Sequence, residues 1–329
     1  MKATLNHLLY YQTLDQKTAY QTLLKLGKGE YNPSQIASFL TIFALRGATV
    51  EELMGFRDAM LELCLPVDLQ AFDPIDVCGT GGDGKDTFNI STLSAFVVAG
   101  TGQRVAKHGN HGVSSAVGSS TVLEYLGIRF SNDSAYLQHK IEKAGICYLH
   151  APLFHPAMKH VAPIRKELGI KTFFNVLGPM TNPARPKKQM VGVYSLELMR
   201  LYAYIYEQSG IDYLIVHALD GYDEVSLTGN FKIHTARSEQ ILSPKQLGLD
   251  TFAPSQLTSG HTLEDAARIF LNVLNDQATS AQKQAVLANS ALAIYAANPA
   301  LSLLDAVAMA RESLESKRAL VCFKKLIAA

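Results

Sequence analysis

Cysteine is scarce in this chain of 329 residues: there are four, far apart, and no pair has the CxxC spacing. This spacing argues against a disulfide framework and against a thiolate zinc site, and it favours a reducing compartment. An excess of charge is also missing, since 30 lysines and arginines stand against 29 aspartates and glutamates. The net charge of +1 gives no general attraction to nucleic acid or to an anionic membrane.

Long apolar runs are missing as well. None reaches the roughly 18 residues needed to cross a bilayer, and the first residues lack the apolar core of a signal peptide. We therefore expect a cytoplasmic protein with no membrane and no nucleic acid among its partners. What the chain has is an ordinary globular composition, with 48% hydrophobic and 18% charged residues. Its length allows a sizeable core and roughly two domains.

The first sixty or so residues carry the start signals of short helices. Asp15 stands where an N-cap is expected, and Asn32, followed by proline, opens a further helix. Thr49 and Glu52 form a capping box ahead of another apolar face. The pattern predicts a small, all-helical domain over residues 1–70.

From residue 74 onward, short β-rich runs alternate with helical patterns. The runs typical of buried strands are 75–78, 104–106, 146–149, 190–194 and 213–218. Alternation of strands and helices implies right-handed βαβ units. We therefore predict an α/β fold, with a larger α/β domain over residues 71–329 and a mostly parallel central sheet. A segment near residues 163–183 is expected to fold back against the helical domain.

The most informative stretch is residues 76–92, which leads from a predicted strand to the start of the next helix. It contains four glycines within six residues. Glycine lets backbone N–H groups approach an anion closely, and a helix N-terminus adds a favourable partial charge. The stretch predicts a phosphate site, whereas the alternative is a turn that is merely tight.

Two common nucleotide-binding motifs match this loop only in part. Its glycines have the spacing of a dinucleotide-binding loop, but the second strand ends in Lys107 and His108, where that fold needs an acidic residue. Residues 79–85 have the spacing of a P-loop, but Asp86 follows, where Ser or Thr would bind magnesium. We therefore assign neither motif.

A second loop of similar character follows the next predicted strand, over residues 107–120. It carries a lysine, two histidines and several hydroxyl groups. Because ligands collect where the ends of parallel strands meet, the two loops together predict a substrate with two separate phosphate groups. Taken alone, either His108 or His111 would more often be structural than catalytic.

Four motifs, in this order along the chain, resemble the signature loops of the anthranilate phosphoribosyltransferase family. They lie at residues 79–83 with 89–92, at 107–110, at 155–159 with 163–169, and at 174–183. The acidic pair Asp223-Glu224 and the stretch 289–295 also fit the family, and the likeness covers almost the whole chain. The resemblance implies a helical domain on an α/β domain like that of pyrimidine nucleoside phosphorylases. It also implies a homodimer joined through the helical domain.

The activity implied by the resemblance is attack of the anthranilate amine on C1 of 5-phosphoribosyl pyrophosphate, with release of pyrophosphate, in tryptophan biosynthesis. The implied cofactor is Mg²⁺. Because negative charge gathers on the leaving group, such a site stabilises anions rather than supplying a strong base. We therefore assign no catalytic acid or base. Association with anthranilate synthase or its amidotransferase stays open.

The resemblance also implies roles for individual residues. The residues expected to contact anthranilate are Gly79, Asn110 and Arg165. The expected magnesium ligands are Ser91, Asp223 and Glu224. The residues expected to hold phosphoribosyl pyrophosphate are Gly79, Gly82, Asp83, Thr87, Asn89, Ile90, Ser91, Thr92, Lys107, His108, Gly109, Asn110, His111, Gly112, Val113, Ser114, Ser115 and Ser119. Without the resemblance, the acidic pair would be interpreted as an exposed turn, and Arg165 as a surface residue of a helix.

The chain departs from the family pattern in the second loop. His111 stands where most members have arginine, and Ala116 where lysine is frequent. Ser120 and Thr121 replace a common Ala-Asp pair. These changes alter the charge expected near the pyrophosphate and bear on donor affinity.

Two other functions follow from the same sequence features. One is a nucleoside phosphorylase of the related fold, which would use free phosphate and a nucleobase. The other is a non-catalytic relative that binds nucleic acid, which would require a basic stripe. Histidines at 150, 155 and 160 recur every five residues, a spacing that suits a metal site on neither a strand nor a helix, and we assign them no metal.

Overall fold

The computed structural model describes residues 1–111 and 118–328. The chain divides into two compact units, one made of Met1–Val67 with Ala151–Arg185, the other of Asp68–His150 with Pro186–Ala329. In the part of the chain that the structure describes, no helix combines the length and the apolarity needed to cross a membrane.

In chain order, the helices and strands of the described residues are α1 (Lys2–Leu9), α2 (Gln16–Gly27), α3 (Pro33–Arg46), α4 (Val50–Leu63), β1 (Ile75–Gly79), α5 (Ile90–Gly100), β2 (Val105–Gly109), α6 (Ser119–Tyr125), α7 (Ser134–Ala144), β3 (Ile146–His150), α8 (Ala151–Phe154), α9 (Ala162–Leu168), α10 (Phe173–Leu177), β4 (Lys188–Gly192), α11 (Leu196–Ser209), β5 (Asp212–Ala218), β6 (Phe231–Thr235), β7 (Glu239–Leu242), α12 (Leu263–Leu274), α13 (Ser280–Ala297), α14 (Leu303–Glu315) and α15 (Arg318–Ile327). Short 3₁₀ helices lie at Gln70–Phe72, Pro156–His160, Gly178–Thr181, Pro244–Leu247 and Pro254–Gln256.

The helices of the first unit begin where their capping residues predicted. The side chain of Asp15 accepts a hydrogen bond from the amide of Thr18 (2.6 Å) at the start of α2. Asn32 starts α3 with a reciprocal capping box, and Thr49 with Glu52 does the same for α4. These bonds satisfy amide groups that have no partner within the helix, which fixes each helix start locally.

A cluster of phenylalanine rings forms the core of the first unit. Phe56 of α4 stacks on Phe173 of α10, with ring centroids 4.5 Å apart. Phe39 and Phe43 of α3 meet the same rings edge to face. A backbone hydrogen bond also joins residues 151–185 to residues 1–67, since the amide of Leu65 donates to the carbonyl of Phe154 (2.8 Å). Packing and hydrogen bonds thus place residues 151–185 within the helical unit.

The second unit is built on a sheet whose strand order, within the described residues, is β3-β2-β1-β4-β5-β6-β7. Strands β1 to β5 are parallel, whereas β6 and β7 are antiparallel additions at one edge. The predicted α/β fold with a mostly parallel sheet is confirmed. The two edge strands were not predicted: apolar residues alternate with polar ones in β6, and β7 is short and mostly exposed, so neither forms the continuous run of a buried strand.

Strand register brings the predicted loops together at the carboxyl ends of the parallel strands. Gly79 at the end of β1 lies beside Gly192 at the end of β4, and Gly109 at the end of β2 lies beside His150 of β3. The strand order reverses between β1 and β4. Ligands of open parallel sheets bind where such a reversal leaves a crevice at the carboxyl ends of the strands.

Helices cover the central strands of this sheet. Helices α5 and α13 pack on the central strands and on each other, while α11 packs on β5. Nearly every side chain of α5 is buried, as are most of those of α13, since each helix has neighbours on several sides. This rigid support fixes the position of the loops that leave the strand ends.

Candidate active site

The glycine loop follows β1 and leads into α5. Its first turn is fixed by the amide of Thr80, which donates to the carbonyl of Gly192 (2.9 Å). Farther along, the carboxylate of Asp83 accepts a hydrogen bond from the amide of Lys85 (3.0 Å). Asn89 precedes the first residue of α5, but its side chain does not cap the helix. The first amides of α5 are therefore not covered by this side chain, as an anion site at a helix N-terminus requires.

The acidic pair of the loop after β5 lies directly against this glycine loop. Oδ2 of Asp223 accepts a hydrogen bond from the amide of Gly81 (2.6 Å). Oε1 of Glu224 accepts one from the hydroxyl of Thr87 (2.7 Å). Gly79 makes the approach feasible, because a Cβ at that position would stand 2.5 Å from Oδ2 of Asp223. Residues some 140 positions apart thus form one site, and the interpretation as an exposed acidic turn does not hold for the buried Glu224.

A buried asparagine holds the backbone that carries this pair. Oδ1 of Asn289, on α13, accepts from the amide of Val225, and its Nδ2 donates to the carbonyl of the same residue (both 2.9 Å). A second bond from Nδ2 reaches the carbonyl of Ala285 one turn earlier (2.9 Å). Asn289 is therefore a positioning residue for Glu224, and it lies in the late helix that the sequence associated with the family.

Both carboxyl groups of the pair hold their protons more strongly than usual. Burial, together with the nearby carboxylate of Asp83, raises the pKa of Asp223 to about 7, although the hydrogen bond from Gly81 acts against this. Burial also raises the pKa of Glu224 well above its ordinary value, and the adjacent Asp223 adds to the effect. Three neighbouring carboxyl groups at low exposure favour a bound cation, because a cation would stabilise their charged forms.

This donor set fits a magnesium ion that takes most of its ligands from a substrate. Among the described residues, no three His, Cys, Asp or Glu side chains form a group that could hold a metal alone. Mg²⁺ needs no such group, since it commonly uses one or two carboxylates together with phosphate oxygens and water. Asp223 and Glu224 supply the two carboxylates. Ser91, the third predicted ligand, has its hydroxyl 3.4 Å from the ammonium group of Lys107.

Lys107 lies buried under the glycine loop. Its Nζ donates to the carbonyl of Val77 on β1 (2.6 Å) as well as to Ser91. Burial lowers the pKa of Lys107, whereas the carboxylate of Asp76 acts in the opposite direction. The side chain thus links the end of β1 to the first turn of α5.

The second loop is held by hydrogen bonds to the start of α6. The backbone carbonyl of Asn110 accepts from the hydroxyl of Ser119 (3.0 Å) and from the amide of Ser120 (3.2 Å). The carboxamide of Asn110 is exposed and accepts from the amide of His111 (2.8 Å). The predicted donor-binding residues that lie outside the described part of the chain are Gly112, Val113, Ser114 and Ser115, together with the variant position Ala116.

Two of the positions that depart from the family pattern touch each other. Nδ1 of His111 lies 3.2 Å from the hydroxyl of Thr121. The His111 ring also meets the ring of His150 edge to face, with centroids 4.9 Å apart. His111 therefore faces α6 and β3, and Thr121 serves as its hydrogen-bond partner.

Arg165 belongs to the helical unit, on α9. Its Nη2 donates to Oδ1 of Asn175 (3.1 Å), and its guanidinium carbon stands 5.3 Å from the ring centre of Phe174. Burial lowers the pKa of Arg165. Its Nε is buried and has no hydrogen-bond partner among the described residues. A carboxylate would satisfy this donor, so Arg165 is more than the ordinary surface residue that its place in a helix would predict.

Comparison with known proteins gives the family. Residues 72–320 match the glycosyl transferase family a/b domain, and residues 2–64 match the glycosyl transferase family helical bundle domain. Anthranilate phosphoribosyltransferase of Cytophaga hutchinsonii is 54% identical over 99% of this chain and 100% of its own length. The enzyme of that name from Bacteroides thetaiotaomicron is 50% identical over 99% and 98%. The chain belongs to the anthranilate phosphoribosyltransferase family.

Solved structures agree with this assignment. The crystal structure of anthranilate phosphoribosyltransferase from Thermus thermophilus has a TM-score of 0.92 and 35% identity, covering 98% of both chains. The Saccharomyces cerevisiae enzyme in complex with PRPP and Mg has a TM-score of 0.90 and 30% identity, covering 99% of this chain and 98% of its own. The yeast enzyme was also solved with 4-fluoroanthranilate, with a TM-score of 0.87, 28% identity and coverage of 99% and 97%. The predicted family resemblance and fold class are confirmed.

The remaining residues that resemblance to anthranilate phosphoribosyltransferases predicted as ligands differ in their surroundings. The side chain of Ile90 lies in the core, and its amide donates to the carbonyl of Phe88 (2.6 Å). Neither the side chain nor the amide of Ile90 is therefore available to a ligand at the loop. Thr92 is buried, and its hydroxyl has no partner among the described residues. His108 is buried, and its amide donates to Asp76 (3.2 Å). The residues with partly open side chains or backbone in the glycine loop are Gly82, Asp83, Thr87 and Asn89.

Sequence reasoning missed Ser259, which hydrogen-bonds to the end of the glycine loop in this member of the anthranilate phosphoribosyltransferase family. The amide and hydroxyl of Ser259 donate to the carbonyl and carboxylate of Asp86 (3.0 and 2.9 Å). It also missed Tyr222, over whose ring the ammonium of Lys85 lies at 4.6 Å. No spacing rule links these pairs. The one signal in the sequence was the position of Tyr222 next to the acidic pair.

The three regularly spaced histidines lie in two different units of the fold, and two of them, His150 and His155, are buried. Burial, with a further contribution from His111, lowers the pKa of His150 to about 4. Burial lowers the pKa of His155 to about 4 as well, against the effect of a hydrogen bond to the Thr181 backbone. His150 ends a strand of the α/β unit, whereas His155 and His160 belong to the helical unit.

Proposed function

We propose that this chain transfers the 5-phosphoribosyl group from phosphoribosyl pyrophosphate to the amine of anthranilate. The products are N-(5-phosphoribosyl)anthranilate and pyrophosphate, which makes the protein a pentosyl-transferring glycosyltransferase of tryptophan biosynthesis. The observation that carries the proposal is the meeting of the buried acidic pair with the glycine loop, through Asp223–Gly81 and Glu224–Thr87. Such a site suits a metal-bound pyrophosphate, because anion donors and cation ligands lie side by side.

The donor would lie along the two loops at the carboxyl ends of β1 and β2. The amides of the glycine loop, the start of α5 and the hydroxyl of Ser119 would receive its phosphate oxygens. Asp223 and Glu224 would hold Mg²⁺, with Ser91 as a third ligand; when bound, this ion balances the charge of the leaving pyrophosphate. The yeast relative solved with PRPP and Mg supports the same donor and metal for this chain.

The acceptor would be recognised chiefly through its carboxylate. Arg165 is suited to this, because a guanidinium can donate to both oxygens at once and its Nε lacks a partner among the described residues. Gly79 and Asn110 are the other residues that we propose for acceptor contact. The exposed carboxamide of Asn110 can donate as well as accept.

In the reaction, the amine nitrogen forms a bond to C1 of the ribose as the bond from C1 to the pyrophosphate oxygen breaks. The aromatic amine is neutral at pH 7 and already carries its lone pair, so positioning matters more than activation. The amine then releases its extra proton, for which we assign no protein base. Charge grows on the leaving group, and the loop amides are placed to stabilise it.

One assay tests the activity directly. Anthranilate fluorescence should disappear on addition of phosphoribosyl pyrophosphate and magnesium, and pyrophosphate should appear in equal amount. Phosphorolysis of a pyrimidine nucleoside, without anthranilate consumption, would favour the phosphorylase alternative. Tight binding of oligonucleotides with neither reaction would favour the nucleic-acid-binding alternative. Either of these results would overturn the proposal.

We also propose a homodimer joined through the helical unit. Helices α1 and α3 pack against each other, and large apolar side chains are exposed at their ends: Leu9, Tyr10, Tyr11 and Leu45 are 64, 80, 86 and 83% exposed. Exposed apolar surface of this kind commonly marks a protein interface. The double variant Tyr10→Ser with Tyr11→Ser should then sediment as a monomer, whereas the wild type should sediment as a dimer.

A cytoplasmic location is part of the same proposal. The four cysteines are free, and three of them are buried, which is consistent with a reducing compartment. Association with anthranilate synthase can be tested by co-sedimentation of the two purified proteins.

A further inference from the structure

The hydroxyl of Tyr148 lies at the centre of a buried hydrogen-bond network beneath the second loop. It is 2.8 Å from the hydroxyl of Ser119 and 2.9 Å from that of Ser120. The hydroxyl of Ser120 is in turn 2.9 Å from Nδ1 of His150. Tyr148 and Ser120 are buried. One phenol on β3 thus connects two consecutive serines at the start of α6.

The direction of every bond in this network follows from its Asn110 end. The hydroxyl of Ser119 donates to the carbonyl of Asn110, which can only accept (3.0 Å). Because each hydroxyl has a single proton, Tyr148 must donate to Ser119, and Ser120 must donate to Tyr148. Nδ1 of His150 must then carry the proton that it donates to Ser120. The bonds therefore run in one direction, from His150 to Asn110.

The surroundings of His150 are consistent with this direction. Its ring stacks on Phe130, with centroids 4.5 Å apart, and it is largely buried. Burial lowers the pKa of His150 to about 4, so the ring is neutral near pH 7 and carries its proton on one nitrogen. Two titratable groups face the ring and act in opposite directions on its pKa: His111 lowers it, and Glu124 raises it.

We propose that Tyr148 is a positioning residue for the phosphate donor, acting through the hydroxyl of Ser119. This rests on the proposed function, in which Ser119 contacts phosphoribosyl pyrophosphate. Tyr148 donates to Ser119 and so fixes the Ser119 oxygen, which leaves the Ser119 proton to point at an acceptor. A phosphate oxygen can replace the Asn110 carbonyl as that acceptor. The carbonyl then keeps the amide of Ser120 as its donor (3.2 Å).

The same hydroxyl also fits closely against the end of β2. A Cβ at Gly109 would stand 2.2 Å from the Tyr148 oxygen, so only glycine at this position leaves room for the Tyr148 hydroxyl. A hydrogen bond received by a hydroxyl strengthens the bond that it donates. Tyr148 therefore contributes to donor affinity in two ways, by holding the oxygen of Ser119 and by polarising its proton.

The decisive variant is Tyr148→Phe, which removes one oxygen and keeps the ring that packs on Phe130. We expect the dissociation constant for phosphoribosyl pyrophosphate with magnesium, measured by calorimetry, to rise about three- to tenfold. The KM for anthranilate should change less than about twofold. Tyr213→Phe is the matched control, because Tyr213 is a buried tyrosine of β5 whose hydroxyl hydrogen-bonds only to Glu207 among the described residues (3.4 Å). It should leave donor affinity unchanged.

A double-mutant cycle separates positioning from a general effect on stability. Ser119→Ala should weaken donor binding at least as much as Tyr148→Phe, and adding the second change should cause no further loss, because Tyr148 acts through Ser119. If the two substitutions instead raise the donor dissociation constant independently, so that the double variant shows the product of the two single effects, the proposal is overturned. A Tyr148→Phe enzyme with wild-type donor affinity and a lowered melting temperature would overturn it as well.

Failure of the proposed function would look different. A wild-type protein that binds no phosphoribosyl pyrophosphate would overturn both proposals together, whereas normal wild-type turnover with an unaltered Tyr148→Phe variant overturns only this one. A separate readout comes from ¹⁵N NMR of the His150 ring. The proton should be found on Nδ1 at pH 7, and a proton on Nε2 would contradict the direction of the network.

Discussion

Gly192 lies directly against the backbone of Asp223. A Cβ at residue 192 would stand 1.5 Å from the carbonyl oxygen of Asp223 and 2.6 Å from its carbonyl carbon. Gly192 ends β4 at the point where its neighbour, Gly79, ends β1. Both glycines are therefore needed for space, because the loop with the acidic pair crosses the ends of these two strands.

The first prediction concerns this contact. Gly192→Ala should force the backbone of Asp223 away from β4, since the obstacle is a peptide group and not the flexible end of a side chain. We expect a loss of about 1–3 kcal/mol or more in the free energy of unfolding, as for other overpacked sites, together with loss of most activity. Urea unfolding and the anthranilate assay measure both. Gly229→Ala, with no atom within 4 Å of the added Cβ, is the control. A fully active Gly192→Ala enzyme would contradict the geometry.

The second prediction concerns the metal. Asp223→Asn with Glu224→Gln should remove most activity and keep the fold, because neutral amides cannot balance the charge of Mg²⁺. The unfolding free energy should not fall, since the substitution removes two carboxyl groups that are buried close to each other. Activity should be followed over a magnesium titration. Asp220→Asn, three residues away and hydrogen bonded to Thr228, should behave as the wild type. Near wild-type rates of the double variant at saturating magnesium would reject these ligands.

The third prediction concerns the acceptor. Arg165→Ala should raise the KM for anthranilate about ten- to a hundredfold, the effect of losing a charged hydrogen-bond partner worth about 1.5–3 kcal/mol. The KM for phosphoribosyl pyrophosphate should change far less. Steady-state kinetics with each substrate varied in turn distinguishes the two. The neighbouring Lys166 is exposed, so Lys166→Ala serves as the control. Equal effects on both substrates would place Arg165 outside the acceptor site.

The fourth prediction concerns pH and the buried His155. Because burial lowers its pKa to about 4, the folded protein binds fewer protons here than the unfolded chain between about pH 4 and 6.5. The stability that the neutral, buried His155 ring contributes is therefore fully present above the pKa of His155 in the unfolded chain. It is lost as the pH falls toward the pKa of His155 in the folded protein. Between pH 7 and 5 the loss should be about 2 kcal/mol.

Urea unfolding at the two pH values measures this loss. His155→Gln should lack that part of the pH dependence, whereas His139→Gln, at an exposed position, should keep it. Identical pH dependence in wild type and His155→Gln would show that His155 does not titrate in this way.

The parts of the fold that could be predicted depend on local chemistry. Asp15, Asn32 and Thr49 start their helices because each side chain bonds to amides within three residues. The parallel strands were predicted within a few residues, since burial on both faces requires continuous apolar runs. Strands β6 and β7 escaped prediction because one face of each remains partly open, so no continuous run marks them.

The site was predictable only where it follows a strand end. The glycine loop and the loop after β2 could be interpreted as anion sites, since backbone amides and helix starts are local features. The pairing of Gly81 with Asp223 could not, because 142 residues separate them and no spacing rule spans that distance. Its members entered the prediction through resemblance to the family and not through the residues themselves.

By itself, the sequence determined the element types, the mostly parallel sheet and the family, because capping, apolar runs and ordered motifs are written along the chain. Only the tertiary structure decided that Glu224 is buried and that Tyr148 reaches the hydroxyls of both Ser119 and Ser120. Such contacts depend on which strands lie side by side and how closely their ends approach. Burial and strand register, which no local pattern encodes, thus turn an ordinary acidic pair and an ordinary tyrosine into parts of a site.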